Sequence, residues 1–266
     1  QIMTQNYLDQ PDLGFVAVGD ALSDQAPLQV TEFSQGKEID NWISKLWLEG
    51  GGGGNQHESY EMAGLFLSRN VHFPNITPGT KPFLFFTGDE GFYKMAPAKF
   101  VRAHIDPTVT EDVPSEVIFA ELKAKYHVFL LHKEFHDKYV DEIQTQRWKE
   151  ALGAENVLEL HDPKAVVDIM LGAIAVISGA RDLSHYMVDL TGRGQSEERQ
   201  GQVKTALAGL ESKSVAGAAP QTEAEMLAEL AAAKKEIEML KMKQELEAYK
   251  AQIAELKAAK EKEAST

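Results

Sequence analysis

Cysteine is absent from the 266 residues, and with it a disulfide framework, thiol catalysis and a thiolate zinc site. A reducing compartment is the simpler expectation, so the chain is read as cytoplasmic. Positive charge is scarce: 27 lysines and arginines stand against 41 aspartates and glutamates, a formal charge of −14. No basic patch offsets that total, which argues against nucleic acid or an anionic membrane surface as a partner. Long apolar runs are missing too. The longest, Val166–Ile177, falls short of the roughly 18 residues of a membrane span and carries Asp168 inside it. Several catalytic signatures are also lacking. The glycines at 14 and 19 are not followed by Lys-Ser or Lys-Thr, no Gly-x-Gly-x-x-Gly opens a helix, no His-Glu-x-x-His occurs, and no serine sits in a nucleophile elbow. No signal-like segment precedes the first strand. Gln1 is an unusual first residue, and the expectation is that the natural chain begins earlier.

What the chain does have is a run of glycines. Residues 49–59 read Glu-Gly-Gly-Gly-Gly-Gly-Asn-Gln-His-Glu-Ser, between an amphipathic stretch ending at Leu48 and a helical pattern that begins near Glu58. Gly52, Gly53 and Gly54 let backbone amides and carbonyls approach a ligand without Cβ interference, and Gln56 and Glu58 follow as candidate contacts. Its companion is Phe-Leu-Phe-Phe-Thr-Gly-Asp-Glu-Gly at 83–91, an apolar strand that delivers Asp89 and Glu90 into a glycine-flanked turn. In an open α/β sheet, ligands bind at the carboxyl ends of strands. Taken singly, the glycines also read as a flexible link and Asp89 as a turn former. A histidine group at 127, 132 and 136, with Glu134 among them, reads as strand-end histidines rather than a metal site.

Strand and helix signals alternate along the first 180 residues. Residues 14–19 read as a buried strand, and 28–33 as a half-exposed strand forming a hairpin with it. Helices are expected over 37–48 and from about 58 onward, then strands over 82–87 and 126–132, joined by helices over 97–105 and 115–125. A helix over 141–152, a short strand at 156–160 and a helix over 164–178 follow, the last announced by Asp162 and Pro163. Such alternation predicts βαβ units with 14–19, 82–87 and 126–132 in one mainly parallel sheet, helices on both faces. Residues 181–211 form a helical extension split at Gly192-Arg193-Gly194. Residues 212–221 read as a linker and 222–266 as a coiled-coil segment, helical over 222–260 and roughly 58 Å long. A seam through Met226, Leu230, Ala233, Ile237 and Leu240 slips phase and resumes at Met242, Leu246, Tyr249, Ile253 and Leu256. It implies self-association or docking on another helical protein, a solitary solvated helix being the alternative.

With the glycine loop and the 83–89 strand in this order, residues 1–180 resemble a von Willebrand factor type A domain of the bacterial, intracellular type. The resemblance implies a doubly wound α/β fold with a metal-ion-dependent adhesion site on the carboxyl edge of its sheet. The threonine of the second loop of such sites is matched by Asn55, with Ser59 or Glu58 as less direct substitutes. The aspartate of the third loop is matched by Asp89, although Gly88 before it departs from the usual order. Asn55, Ser59 and Asp89 are therefore the candidate ligands of Mg²⁺, an ion that takes oxygen donors and keeps several waters. The first loop, Asp-x-Ser-x-Ser, is absent, and the central strand that carries it is expected to be missing from this sequence.

The function that follows is a non-enzymatic interaction and scaffold module. It binds a protein partner through the carboxyl-edge loops, assisted by a divalent cation, and assembles as a homo- or hetero-oligomer through 222–260. The alternative is an α/β hydrolase or phosphate-ligand enzyme using Asp89 and Glu90. Against it stands the lack of any basic residue between Lys45 and Arg69.

Overall fold

The computed structural model describes residues 7–8, 11–50, 54–74, 76–77, 80–210, 231, 234–235, 237–250 and 253. The described chain opens with a short antiparallel ribbon, β1 (Val16–Val18) against β2 (Leu28–Val30), followed by a helical turn and a half, α1 (Glu38–Ile43). After the glycine loop come β3 (His57–Glu58) and helix α2 (Tyr60–Arg69). Strand β4 (Phe83–Gly88), the short strands β5 (Gly91–Phe92) and β6 (Met95–Ala96), helix α3 (Ala98–His104), β7 (Val113–Pro114), which pairs with β6, and helix α4 (Ser115–Lys125) follow. Then β8 (His127–His132), α5 (Lys138–Leu152), β9 (Val157–Glu159), α6 (Val166–Ile177), α7 (Leu183–Gly192) and α8 (Glu197–Leu207) complete the body.

The fold is α/β. Strands β4, β8 and β9 form a three-stranded parallel sheet in that order, with Phe83 opposite His127 and Leu130 opposite Val157. Side chains on a strand alternate between faces, and here both faces are apolar. Leu84, Phe86, Val128 and Leu130 enter one core with α2, α4 and α5. Phe83, Phe85, Phe129 and Leu131 enter a second core with α6, α7 and α8. A strand covered on both sides reads as a continuous apolar run, which is why 83–86 and 128–131 look alike in sequence. The first core centres on Trp148, fully buried, with Phe92 at 4.6 Å and Phe119 at 5.5 Å between ring centroids.

The second core holds a buried charge. Asp168, 3% exposed, lies 3.5 Å from Arg193 and 3.3 Å from Arg199, while Tyr186 donates to its backbone carbonyl. This pairing ties α6 to the turn after α7 and to α8, so the acid that interrupts the longest apolar run joins helices. Residues 183–210 thus share their core with the sheet. The helix starts are capped as local chemistry dictates: Asp137, Asp182 and Ser196 each accept a backbone N–H of the first turn through the side chain.

The structure departs from the sequence reading at several elements. The stretch 14–19 is not in one sheet with β4 and β8. Its β1 pairs with β2 alone, and its Val16 and Val18 reach the first core by packing. No strand among the described residues pairs with β4 except β8. The helix expected over 37–48 stops at Ile43 and buries no side chain. Trp47 instead exchanges hydrogen bonds with the Gln29 side chain, its N–H donating at 2.8 Å and its carbonyl accepting at 2.8 Å, which ties 46–48, outside any helix, to β2. Glu58 belongs to β3, and the helix after it begins at Tyr60. In the tail, residues 237–250 are helical. The 212–221 linker and the seam positions Met226, Leu230, Ala233 and Leu256 lie outside the described residues.

Candidate functional site

The carboxyl ends of β1 and β4 and the start of α2 meet at one edge, and a two-residue parallel pairing joins them. In it His57 of β3 lies opposite Gly91 of β5, and Glu58 opposite Phe92. The N–H of Gly91 donates to the Gln56 carbonyl at 3.2 Å, Gln144 of α5 donates to the same oxygen at 3.3 Å, and the Trp148 indole donates to the Glu90 carbonyl at 3.0 Å. The glycine loop and the Asp89-Glu90 turn are thus fastened to each other and to α5. Gln56 takes a left-handed backbone, φ 64°, a conformation costly for a side chain that is not glycine.

Asp20 is the buried centre of this edge, 1% exposed. Its Oδ2 accepts from the Asn55 amide at 2.6 Å, and its Oδ1 accepts from the Tyr93 hydroxyl at 3.0 Å and from the Leu22 N–H at 3.0 Å. The same Asn55 amide donates to the Tyr93 hydroxyl at 2.6 Å, and the Asn55 side-chain carbonyl accepts from the His57 N–H at 3.1 Å. His57 lies against the Tyr93 ring at 5.2 Å. Its Nδ1 donates to the Asn55 backbone carbonyl at 2.8 Å, which leaves Nε2 to accept from Arg147 at 3.2 Å. Ser59 holds the base of the loop, accepting from the Ala21 N–H at 2.9 Å.

Around this lock the edge is acidic. Burial pushes the Glu58 carboxyl up to about 7, and Glu90, Asp24, Asp20 and Asp89 add to the rise in that order. Burial also raises Glu90, with Asp89 as the next cause and His57 opposing it. Behind them Glu61 is fully buried on α2 and is pushed up to about 8, again by burial first. One of its oxygens accepts from the Tyr93 N–H at 3.1 Å, and the other has no partner. Like charges crowded in a partly dry site favour the protonated form.

The sequence-derived site residues fall as follows. Gly52 and Gly53 lie outside the described residues. Gly54 has φ 68° and open space around it, and Gln56, Glu58 and Glu90 stand together at the edge. Of the proposed Mg²⁺ donors, Asn55 and Ser59 are already engaged with Asp20, Tyr93, His57 and Ala21, while Asp89 stands among the acids around Glu58. Among the described residues no three acidic or histidine side chains converge as a metal-ligating group. His132 is taken by Asp141 at 2.8 Å and Thr145 at 3.0 Å. Gly88 has a packing reason: a Cβ there would lie 2.0 Å from the Tyr60 hydroxyl.

Sequence reasoning missed Asp20, Tyr93, Glu61 and Arg147. A Gly-Asp pair at the end of an apolar strand was the available signal for Asp20. Arg147 supplies the basic group whose absence near the loop argued against an anion, but it arrives from α5, 90 positions from His57. No protein-family model matches the chain, and no curated protein or solved structure matches it either. Among the described residues no helix is long and apolar enough to cross a membrane.

Proposed function

We propose that this chain is a protein-interaction and scaffold module. It presents the acidic edge of Asp24, Glu58, Asp89 and Glu90, set around the buried Asp20, to a protein partner, with a divalent cation such as Mg²⁺ bridging the two, and assembles through its C-terminal helix. The observation that carries this reading is the gathering of Glu90, Asp24 and Asp89 around Glu58, whose carboxyl is pushed up to about 7 by burial first and by these acids after it. Carboxylates arranged against one another are stabilised when a cation arrives, and relief of that repulsion is free energy available for binding. Among the described residues no three acidic or histidine side chains converge as a metal-ligating group, so in this reading most of the cation's shell would come from outside the chain. Asp89 brings a carboxylate, the oxygens of Asn55 and Ser59 already accept hydrogen bonds, and Mg²⁺ leaves room in its shell for waters and a ligand from the partner.

The test is thermal melting of the full chain with and without Mg²⁺. Magnesium is expected to raise the melting temperature of the parent protein, and Asp89→Ala to abolish that rise while leaving the melting temperature without metal nearly unchanged. Identical melts of the parent with and without Mg²⁺ defeat the cation bridge. Interaction through the edge is read separately: a protein captured by the parent chain should be lost with Asp89→Ala combined with Glu90→Ala.

A second reading, an acid–base enzyme, is favoured by the same Glu58, a carboxyl that holds a proton near neutral pH beside Asp89 and Glu90. It moves the acid from Asp89 or Glu90 to Glu58. Hydrolysis of a phosphomonoester that survives Glu58→Gln at full rate excludes it.

A further inference from the structure

On the far side of Arg147 from the loop edge lies a groove of about 750 Å³ between α4 and α5. Phe92 and Phe119 line it with Ile143, Ala151 and Arg147, and so does Leu240 of the C-terminal helix. The exposure of that helix divides in the same way. Ile237, Leu240 and Gln244, spaced at three and four residues and so on one face, are half-buried. Met239, Met242, Leu246, Tyr249 and Ile253, also spaced alternately at three and four, are between 52% and 63% exposed. The slip in the apolar seam therefore coincides with a change of surroundings. Leu240, at the end of the first seam, lines the groove, and the second seam is left outward.

Arg147 joins this groove to the loop edge. Its guanidinium lies 4.6 Å over the Phe92 ring, one nitrogen donates to His57, and another is buried without a partner. Phe92 in turn pairs with Glu58 across β3 and β5. Whatever fills the groove thus packs against the residues that hold the loop.

We propose that the α4–α5 groove is the docking site of this chain's own C-terminal helix, seated through Ile237, Leu240 and Gln244, and that its occupation steadies the His57–Asn55 loop through Arg147. The second apolar stripe then stays free for assembly with another chain. An intramolecular helix needs little affinity to stay docked, because tethering supplies an effective concentration in the millimolar range. The docking does not depend on what binds the acidic edge. Only the meaning of the loop coupling rests on the interaction reading above.

Because the chain has no cysteine, two introduced thiols are the only ones present. The full chain carrying Leu240→Cys and Ala151→Cys is treated with a short bis-maleimide over a dilution series, as a mixture of isotopically light and heavy protein. The expected result is a cross-link within single chains, light to light and heavy to heavy, with a yield that does not change on dilution. Adding Ile237→Asp should lower that yield about tenfold, since it takes a half-buried aliphatic group out of the contact. It should also shift the imidazole resonances of His57, with the melting temperature of the body unchanged. Light-to-heavy cross-links that fade on dilution show a second copy in the groove and overturn the proposal, as does the absence of any cross-link. A persistent intramolecular link with unmoved His57 resonances overturns the coupling.

Discussion

Glu61 shows how one residue at this edge can set the behaviour of the whole protein. It is fully buried, its pKa is raised from 4.5 to about 8, and one oxygen lacks a partner. An acid whose folded pKa lies above its unfolded value stabilises the fold below about 4.5, and that stability is lost as pH rises through about 8. A tenfold difference in proton affinity between the folded and unfolded chain is worth about 1.4 kcal/mol. Glu61→Gln should therefore flatten the fall in stability between those limits and leave the variant more stable than the parent at pH 8, as read from denaturant midpoints across pH. A steep fall that survives the substitution assigns the effect to Glu58, whose raised pKa acts in the same direction. Gly88 gives a second prediction at this scale. Gly88→Ala forces its Cβ against the Tyr60 hydroxyl, and overpacking of this kind costs about 1–3 kcal/mol. Combining it with Tyr60→Phe should recover most of the loss in a double-mutant cycle, since the clash is with the oxygen.

At the scale of elements, α5 positions the site. Its Trp148 fills the first core and donates to the Glu90 carbonyl, its Gln144 holds the Gln56 carbonyl, and its Arg147 meets His57. Trp148→Ala should cost about 3–5 kcal/mol through the cavity left among Phe92, Phe119 and Tyr60, seen as a lower urea midpoint with an unchanged slope. It also removes the donor to Glu90, so the acidic turn should loosen before the sheet does, measured as faster amide exchange at Gly91 than at Leu130. The apolar runs of β4 and β8 were legible in sequence because both of their faces are covered. Helix α1 was overextended because its spacing of Ile39, Trp42, Ile43 and Leu46 mimics a buried face. The side chain of Gln29 takes the Trp47 N–H and carbonyl instead.

For the whole molecule, the body and the C-terminal helix are expected to separate energetically. Deleting residues 222–266 should leave the α/β body folded, with its melting transition retained, while lowering the assembly state in sedimentation. Each apolar residue of the Met242–Ile253 stripe that a partner helix buries contributes about 1.5–3 kcal/mol, so losing the stripe removes a large part of any assembly interface. An unchanged number of chains per particle after deletion shows that the outward stripe does not drive assembly.

By itself the sequence determined the alternation of strands and helices, the two-faced burial of β4 and β8, the exclusion of thiol chemistry and the pairing of a glycine loop with an acidic turn. These follow from local periodicity and composition, which report how much of each segment is buried. What only the tertiary structure decided is which groups meet: Asn55 with Asp20 across 35 positions, Tyr93 with Asp20 across 73, and Arg147 with His57 across 90. It also decided that β1 pairs with β2 apart from the main sheet. A buried aspartate and a turn aspartate read alike along the chain. Packing brings Tyr93 and Asn55 to Asp20, and their hydrogen bonds compensate the loss of water there.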